Sequence, residues 1–279
     1  MTTTRALLDR DYLPMVLWAK AKKLGVWDPA GIDLGRDRSD WLELTDQERE
    51  TLLHLTSLFV GGEEAVVVEL LPLISVIAAE GRIEEQMYLT SFLWEEAKHV
   101  DAFHRFLEEV VVDTGDIERF HSTSYRLLFH DQLHTALDRL RDDPSPTSQA
   151  RASVTYNLIV EGVLAETGYH AYHAMLERNR LMPGMLEIVG RLKTDESRHI
   201  AYGVHLLSRL VTEHGEEVWL SIQQRMAELL PLAIGVISEI FDAYDEMAFG
   251  LDLAEFTDFA TAQFESRFKR IERAVTYER

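Results

Sequence analysis

Apolar residues recur along most of this chain at intervals of three and four, the spacing of a single helix face. The clearest run is Leu52, Leu55, Phe59, Glu63, Val66, Leu70, Leu73, Ile77, an apolar stripe interrupted by one acid. The two-residue alternation of strands is missing. Helical periodicity covers 45–79, 82–112, 117–141, 148–179, 184–213, 216–248 and 252–275. The breaks fall at Gly81, DTGD, DDPSPTS, MPG, His214–Gly215 and FGLD. Thr45 with Glu48 three residues on is a capping-box start. Ahead of it, a short helical piece around 12–24 leads into turn-rich WDPAGIDLGRDRSD. No break is long enough to separate domains, so the pattern predicts one all-α domain over 1–279.

Two positions disturb the first long helix. Gly61 and Gly62 lie inside it, each costing about 1 kcal/mol relative to Ala. Pro72 cannot donate to the carbonyl of Val68, which predicts a kink. Either this is a bent core helix, or the irregularity opens a cavity beside a site.

Composition narrows the chemistry. With 279 residues, 46% of them hydrophobic, the chain can bury a large core. A formal charge of −20 repels phosphate backbones and anionic membrane surfaces, so nucleic acid is an unsuitable partner. There is no cysteine, which removes disulfides, thiolate metal sites and thiol nucleophiles together. Any metal must be held by carboxylate and imidazole. The start MTTTRALLDRDYLP has no apolar signal region, and the longest apolar runs, LLPLISVIAA and LLPLAIGVIS, hold ten residues each. A spanning helix needs roughly 20. The expectation is a cytoplasmic protein with no membrane span.

The chain writes one five-residue formula twice: EEAKH, Glu95 to His99, and DESRH, Asp195 to His199. Each contains Glu-x-x-His. Residues three apart on a helix lie about 60° apart and about 4.5 Å along the axis, so both can reach one ion. Alone the motif is weak, and Glu118 with His121 repeats it at a helix start, where an acid serves the exposed amides. Asp101–His104, Asp131–His134 and the Glu166, His170, His173 group read as solvated or core polar faces. The strong pairs are Glu96 with His99 and Glu196 with His199, because each follows an acid set in an apolar stripe. Glu63, with Glu64 as its rival, lies 33 residues before Glu96; Glu161 lies 35 before Glu196. Buried acids need partners. Four carboxylates and two imidazoles would balance two divalent cations, and the metal-free cage is expected to raise its carboxylate pKa values.

This order of ligands resembles the ferritin-like dinuclear carboxylate proteins, a four-helix bundle core with additional helices. DESRH looks like the small subunit of ribonucleotide reductase, in which the acid before the fourth-helix Glu orients the first-half His. The resemblance implies Asp195 as partner to His99. Two departures matter: Phe103 stands where that subunit stores its radical on Tyr, and Glu63 stands where the common form has Asp. They fit better with the small-subunit-like ligand-binding oxidases, whose motifs are similar to GGEEAV (61–66), EEAKH, YNLIVEG (156–162) and DESRH.

That resemblance implies a manganese/iron pair, with di-iron as the other form. Manganese is expected at Glu63, Glu96 and His99, and iron at Glu161, Glu196 and His199, with Glu96 bridging. It implies activation of O₂, a two-electron ether cross-link between Val66 and Tyr156, and a long-chain fatty acid bound by its carboxylate near the metals. It further implies a homodimer, an aliphatic small-molecule substrate and an external electron donor. Spacing supports Val66, three residues after Glu63. Tyr156 lies five before Glu161, about 140° away on an ideal helix, so helix distortion or an adjoining pocket is required. The alternatives are a radical-generating small subunit of a ribonucleotide reductase and, outside enzymes, iron storage.

Overall fold

The computed structural model describes the backbone of residues 7–277 and the side chains of 7–273. Among these residues there is no strand. Helix α1 is Leu13–Leu24, α2 is Gly35–Glu43, α3 is Asp46–Ala79 and α4 is Ile83–Phe106, extended by a π-turn at Leu107–Val111. A broken rod over 117–141 follows, whose middle, α5 (123–138), passes through a π-helix at Leu127–Leu133. Helix α6 (146–177) starts as regular α-helix at Pro146–Ser153 and becomes π-helix over Val154–Ala165. Helices α7 (Pro183–His214), α8 (Glu216–Asp242) and α9 (Leu253–Tyr277) complete the chain. No described helix is long and apolar enough to cross a membrane.

The capping box at Thr45 is formed. Glu48 N donates to Thr45 Oγ1 at 3.2 Å, and Thr45 N donates to Glu48 Oε2 at 2.8 Å. Such a cap contributes about 1 kcal/mol. Helix α2 corrects the sequence reading, which saw only turns there. It has little apolar face because its acids do the packing. Asp37 accepts from Gly184 N and Met185 N at 2.9 and 2.6 Å, and Asp40 accepts from Met182 N at 2.7 Å. These bonds satisfy amides at the start of α7 that no intrahelical carbonyl can reach. A second correction concerns Glu118: the side chain accepting at that helix start is Asp116, from Glu118 N at 3.0 Å.

Helix α3 runs unbroken through Pro72. Its glycines have separate reasons. A Cβ on Gly61 would lie 2.8 Å from Tyr125 Oη and 2.9 Å from His121 Cε1, so the side chain is excluded by close packing of the 117–141 rod. Gly62 lines a cavity.

Two apolar clusters fill the interior. One gathers Val66, Leu70, Tyr88, Phe92, Leu158 and Tyr202; the other gathers Leu55, Phe59, Ala102, Phe103, Tyr169 and Leu192. On each of α3, α4, α6 and α7 the polar interruption of the stripe falls between a residue of one cluster and a residue of the other. That common level is where the candidate site lies.

Candidate metal centre

The four helices bring six side chains to one point. Glu63 comes from α3, Glu96 and His99 from α4, Glu161 from α6, and Glu196 and His199 from α7, none of them more than 6% exposed. His99 Nδ1 lies 3.4 Å from Glu63 Oε2, 3.2 Å from Glu96 Oε2 and 3.4 Å from Glu196 Oε1. His199 Nδ1 lies 3.4 Å from Glu96 Oε1, 3.6 Å from Glu161 Oε1 and 3.4 Å from Glu196 Oε2. The set divides into two ligand groups that share Glu96 and Glu196. Glu96 and Glu196 each face both halves, and for Glu196 spacing alone did not indicate it. Glu64, the rival of Glu63, is exposed and pairs with His104 at 2.7 Å. The remaining histidine motifs lie elsewhere: His134 pairs with Glu69, His170 with Glu255 and His173 with Glu177.

The donor atoms test whether the cage suits cations. Glu96 Oε2, His99 Nδ1, Glu161 Oε1, Glu196 Oε2 and His199 Nδ1 are all buried with no hydrogen-bond partner. Leaving one such group unsatisfied costs about 1–3 kcal/mol, and charged groups more. Five converging on one point is the arrangement of a ligand shell, and the mix of carboxylate oxygen and imidazole nitrogen suits first-row divalent ions.

The protein's own charge balance agrees. Burial, reinforced by Glu96 and Glu196, pushes Glu63 up to about 8 against the pull of His99. Burial and then Glu196 hold Glu161 well above the usual carboxylate range. Glu96 departs from the expectation that the carboxylates rise. Burial raises it too, but His199 and His99 outweigh burial and hold it well below its ordinary value. Both imidazoles stand far above theirs although burial opposes this, through Glu63 beside His99 and Glu196 beside His199. The carboxylates thus favour the protonated form of each imidazole, and a His must release that proton to ligate a metal.

The outer nitrogens show what the repeated formula does. His99 Nε2 faces Asp195 Oδ2 at 3.4 Å, and His199 Nε2 faces Glu95 Oε2 at 3.0 Å. The first acid of each motif therefore serves the His of the other. The bases cross in the same way: Lys98 Nζ lies 3.1 Å from Asp195 Oδ2 and Arg198 Nη2 lies 2.7 Å from Glu95 Oε1, while Arg198 also bonds Asp195. Glu95 was missed in the sequence, although its place in the repeat was a usable signal. Trp27 was missed with no signal at all; its Nε1 donates to Asp195 Oδ2 at 2.8 Å from a turn 168 positions away.

Tyr156 reaches the cage because of helix type. The wider i→i+5 winding of the π-helix over Val154–Ala165 turns Tyr156 nearer the face of Glu161 than the spacing of a regular α-helix allows. Its Oη donates to Glu96 Oε1 at 3.1 Å and lies 3.3 Å from the carbonyl oxygen of Val66. Burial first, then Glu96 and Glu161, raise this phenol well above its ordinary range, so it keeps its proton. Phe103 is fully buried and stacks on Phe59 at 5.0 Å.

A cavity with about 960 Å³ of empty space, its mouth included, opens at the cage. Glu63, Glu96, Glu161 and Glu196 line one end, and Leu55, Phe59, Val160, Ile237, Phe241 and Phe256 are among its apolar walls.

The model of the ribonucleotide reductase small-chain family matches residues 12–279. The chain belongs to this family. Among the solved structures it matches are R2-like ligand-binding oxidases. One with an aerobically reconstituted Mn/Fe cofactor after a long soak is 34% identical, with a TM-score of 0.92, over 97% of this chain and 96% of that chain. Another, with its metal cofactor after photoconversion, is 34% identical with a TM-score of 0.92 over 97% of both chains. A glycine-to-leucine variant with an aerobically reconstituted Fe/Fe cofactor gives the same four figures. This family member therefore has an all-α, ferritin-like fold around a carboxylate–histidine cluster, and its relatives are dinuclear oxidases.

Proposed function

We propose that this chain is a dinuclear Mn/Fe oxidase that binds a long-chain fatty acid and joins Val66 to Tyr156 by an ether bond. The observation that carries the reading is the set of five unpartnered donor atoms converging at the end of an apolar cavity. Glu63, Glu96 and His99 would hold manganese, and Glu161, Glu196 and His199 iron, with Glu96 and Glu196 able to serve both. Bound there, the pair supplies O₂ activation and the acceptance of electrons.

The protein's residues supply position and proton handling. Val66 is buried and follows Glu63 by three residues on the same helix face. Tyr156 offers its O–H to Glu96 Oε1 at 3.1 Å, within the reach required of a proton acceptor. Ether formation breaks that O–H and the Val66 Cβ–H, makes one C–O bond, and releases two protons and two electrons, O₂ being the terminal acceptor. Away from its acidic end the cavity is lined mainly by apolar side chains, as small-molecule sites are. Its walls suit an alkyl chain, whose carboxylate would face the cations at the acidic end. One domain over 1–279, a homodimer and an external reductant complete the proposal.

Aerobic loading with Mn²⁺ and Fe²⁺ tests it. Intact mass should fall by two hydrogens, with the change localised to the Val66 and Tyr156 peptides, and Tyr156→Phe should keep its full mass. An unmodified chain in fully loaded wild type would overturn the cross-link. A bound acid should appear in the organic extract, and Phe241→Arg, which places charge on the cavity wall, should exclude it.

A further inference from the structure

The ligand-bearing faces of α4 and α7 continue beyond the cage. From Glu96, α4 runs back through Phe92, Tyr88 and Glu85; from His199, α7 runs on through Tyr202 and His205. Each step is three or four residues, so one stripe on each helix leads away from the ligands. Phe92 stacks on His199 with centroids 3.6 Å apart and planes at 16°. Tyr88 lies 6.1 Å from Phe92 and 5.3 Å from Tyr202. Tyr202 Oη donates to Glu85 Oε2 at 3.0 Å, and Tyr12 Oη donates to Glu85 Oε1 at 3.0 Å. His205 Nε2 lies 3.0 Å from Tyr12 Oη. Tyr12 and His205 are half-buried, whereas Glu85, Tyr88, Phe92 and Tyr202 have no exposure.

A hydrocarbon core would fill this space without burying a carboxylate, which is expensive even when paired. Here Arg209 Nε lies 3.2 Å from Glu85 Oε1, and the carboxylate holds two phenols, one on each oxygen. Oxidising a phenol by one electron makes its O–H strongly acidic, so an acceptor at hydrogen-bond distance decides which phenols can react. Tyr12 and Tyr202 have one. Tyr88 Oη is buried without a partner.

We propose that Tyr12 and Tyr202 are stations on a route by which single electrons enter the dinuclear site from the surface. Tyr88 and Phe92 bridge the last gap to His199, and Glu85 holds the phenolic protons. This rests on the oxidase reading above. Tyr202 gives one electron toward the O₂-oxidised site while its proton passes to Glu85 Oε2, leaving a neutral phenoxyl. Tyr12 then reduces that phenoxyl; Glu85 returns the proton to Tyr202 and takes the proton of Tyr12 on Oε1. A one-electron carrier of the iron–sulfur or flavin class reduces Tyr12 at the surface, and Glu85 restores its proton. One electron crosses from donor to site and no net proton moves, which is how a single buried carboxylate can serve both phenols.

The test uses metal-loaded protein oxidised in air, made anaerobic, and mixed with hexaammineruthenium(II), a cationic one-electron donor suited to a chain of net charge −20. Decay of the oxidised site's optical band gives the rate. Tyr202→Phe and Tyr12→Phe should each slow it by about tenfold or more, equivalent to at least about 1.4 kcal/mol in the barrier. Tyr244→Phe, whose ring packs on His54 outside the route, should leave it unchanged. Placing 3,5-difluorotyrosine at position 202 keeps the hydrogen bond and the packing but shifts the phenol's potential, and it should change the rate where a merely structural role would not. In freeze-quench EPR without donor, wild type should show a tyrosyl signal that Tyr202→Phe lacks. Rates indifferent to Tyr12 and Tyr202 in protein that oxidises normally would overturn the route alone. A slowing confined to Trp27→Phe would also overturn it, by placing entry on the Trp27–Asp195–His99 side. Failure of loaded wild type to oxidise at all would bring down both the route and the oxidase reading.

Discussion

Each five-residue motif divides its work among its residues. The Glu and His face inward, while the leading acid and the base reach across to the other motif. Glu95 therefore governs His199, and Asp195 governs His99. Such partners fix the ring orientation and raise the basicity of a ligating His, and their loss typically weakens metal affinity by about 10–100-fold. Glu95→Gln should show that loss in the half built on His199, and Asp195→Asn in the half built on His99. Metal titration with anomalous diffraction at each edge would separate the two. A different residue sets a pH response. Buried His54 stacks on Phe120 at 4.7 Å and meets Tyr244 Oη at 3.0 Å, and burial pushes it down to about 4. The unfolded chain binds that proton near pH 6.5, so the unfolded state gains it first as pH falls. The stability contribution is complete above about pH 6.5 and is lost on acidification toward 4, amounting to about 3 kcal/mol. Denaturant midpoints at pH 7 and 4.5 should diverge more in wild type than in His54→Asn.

At the level of elements, the decisive feature is the π-helix at Val154–Ala165. Apolar periodicity correctly marks α6 as a helix but cannot tell i→i+4 from i→i+5 bonding over one short run, because both present an apolar face. The angular misfit of Tyr156 with Glu161 left helix distortion and an adjoining pocket as alternatives, and the helix is the irregular one. Packing against α7 accompanies that change: a Cβ on Gly203 would fall 2.3 Å from Asn157 Cβ, and Asn157 Nδ2 donates to Glu161 Oε2 at 3.0 Å. Gly203→Ala must push α7 and the π-segment apart. It should destabilise the protein by about 1–3 kcal/mol in thermal melts and lower the yield of cross-linked mass. Helix α2 shows the opposite limit, since its buried acids Asp37 and Asp40 cap α7 from a segment with little apolar stripe to announce it.

For the whole molecule, the cage is a polar layer between two apolar clusters, and four helices must stay in register to hold it. Ions that bind only the folded chain add stability in proportion to their occupancy, about 2.7 kcal/mol per site at a hundredfold excess over Kd. Chelation should therefore lower the melting temperature, and readdition of either metal should restore some of it. Glu161→Gln should halve the stoichiometry and the restored increment. Equal melting with and without metal would argue against the cage as a binding site.

The sequence by itself determined the helical class, most helix limits, the cap at Thr45 and the two Glu-x-x-His pairs, because each is written within one or two turns of chain, and it left Glu64 as a rival to Glu63. For Tyr156 its spacing argued against the site, and the resemblance that put it there left helix distortion and an adjoining pocket both open. Tertiary structure decided the rest. Pairing of Glu95 with His199, the place of Trp27, the sharing of Glu196 and the shape of the cavity all depend on which helix faces meet. Periodicity tells which side of a helix is buried; only packing against the other helices tells what that side touches.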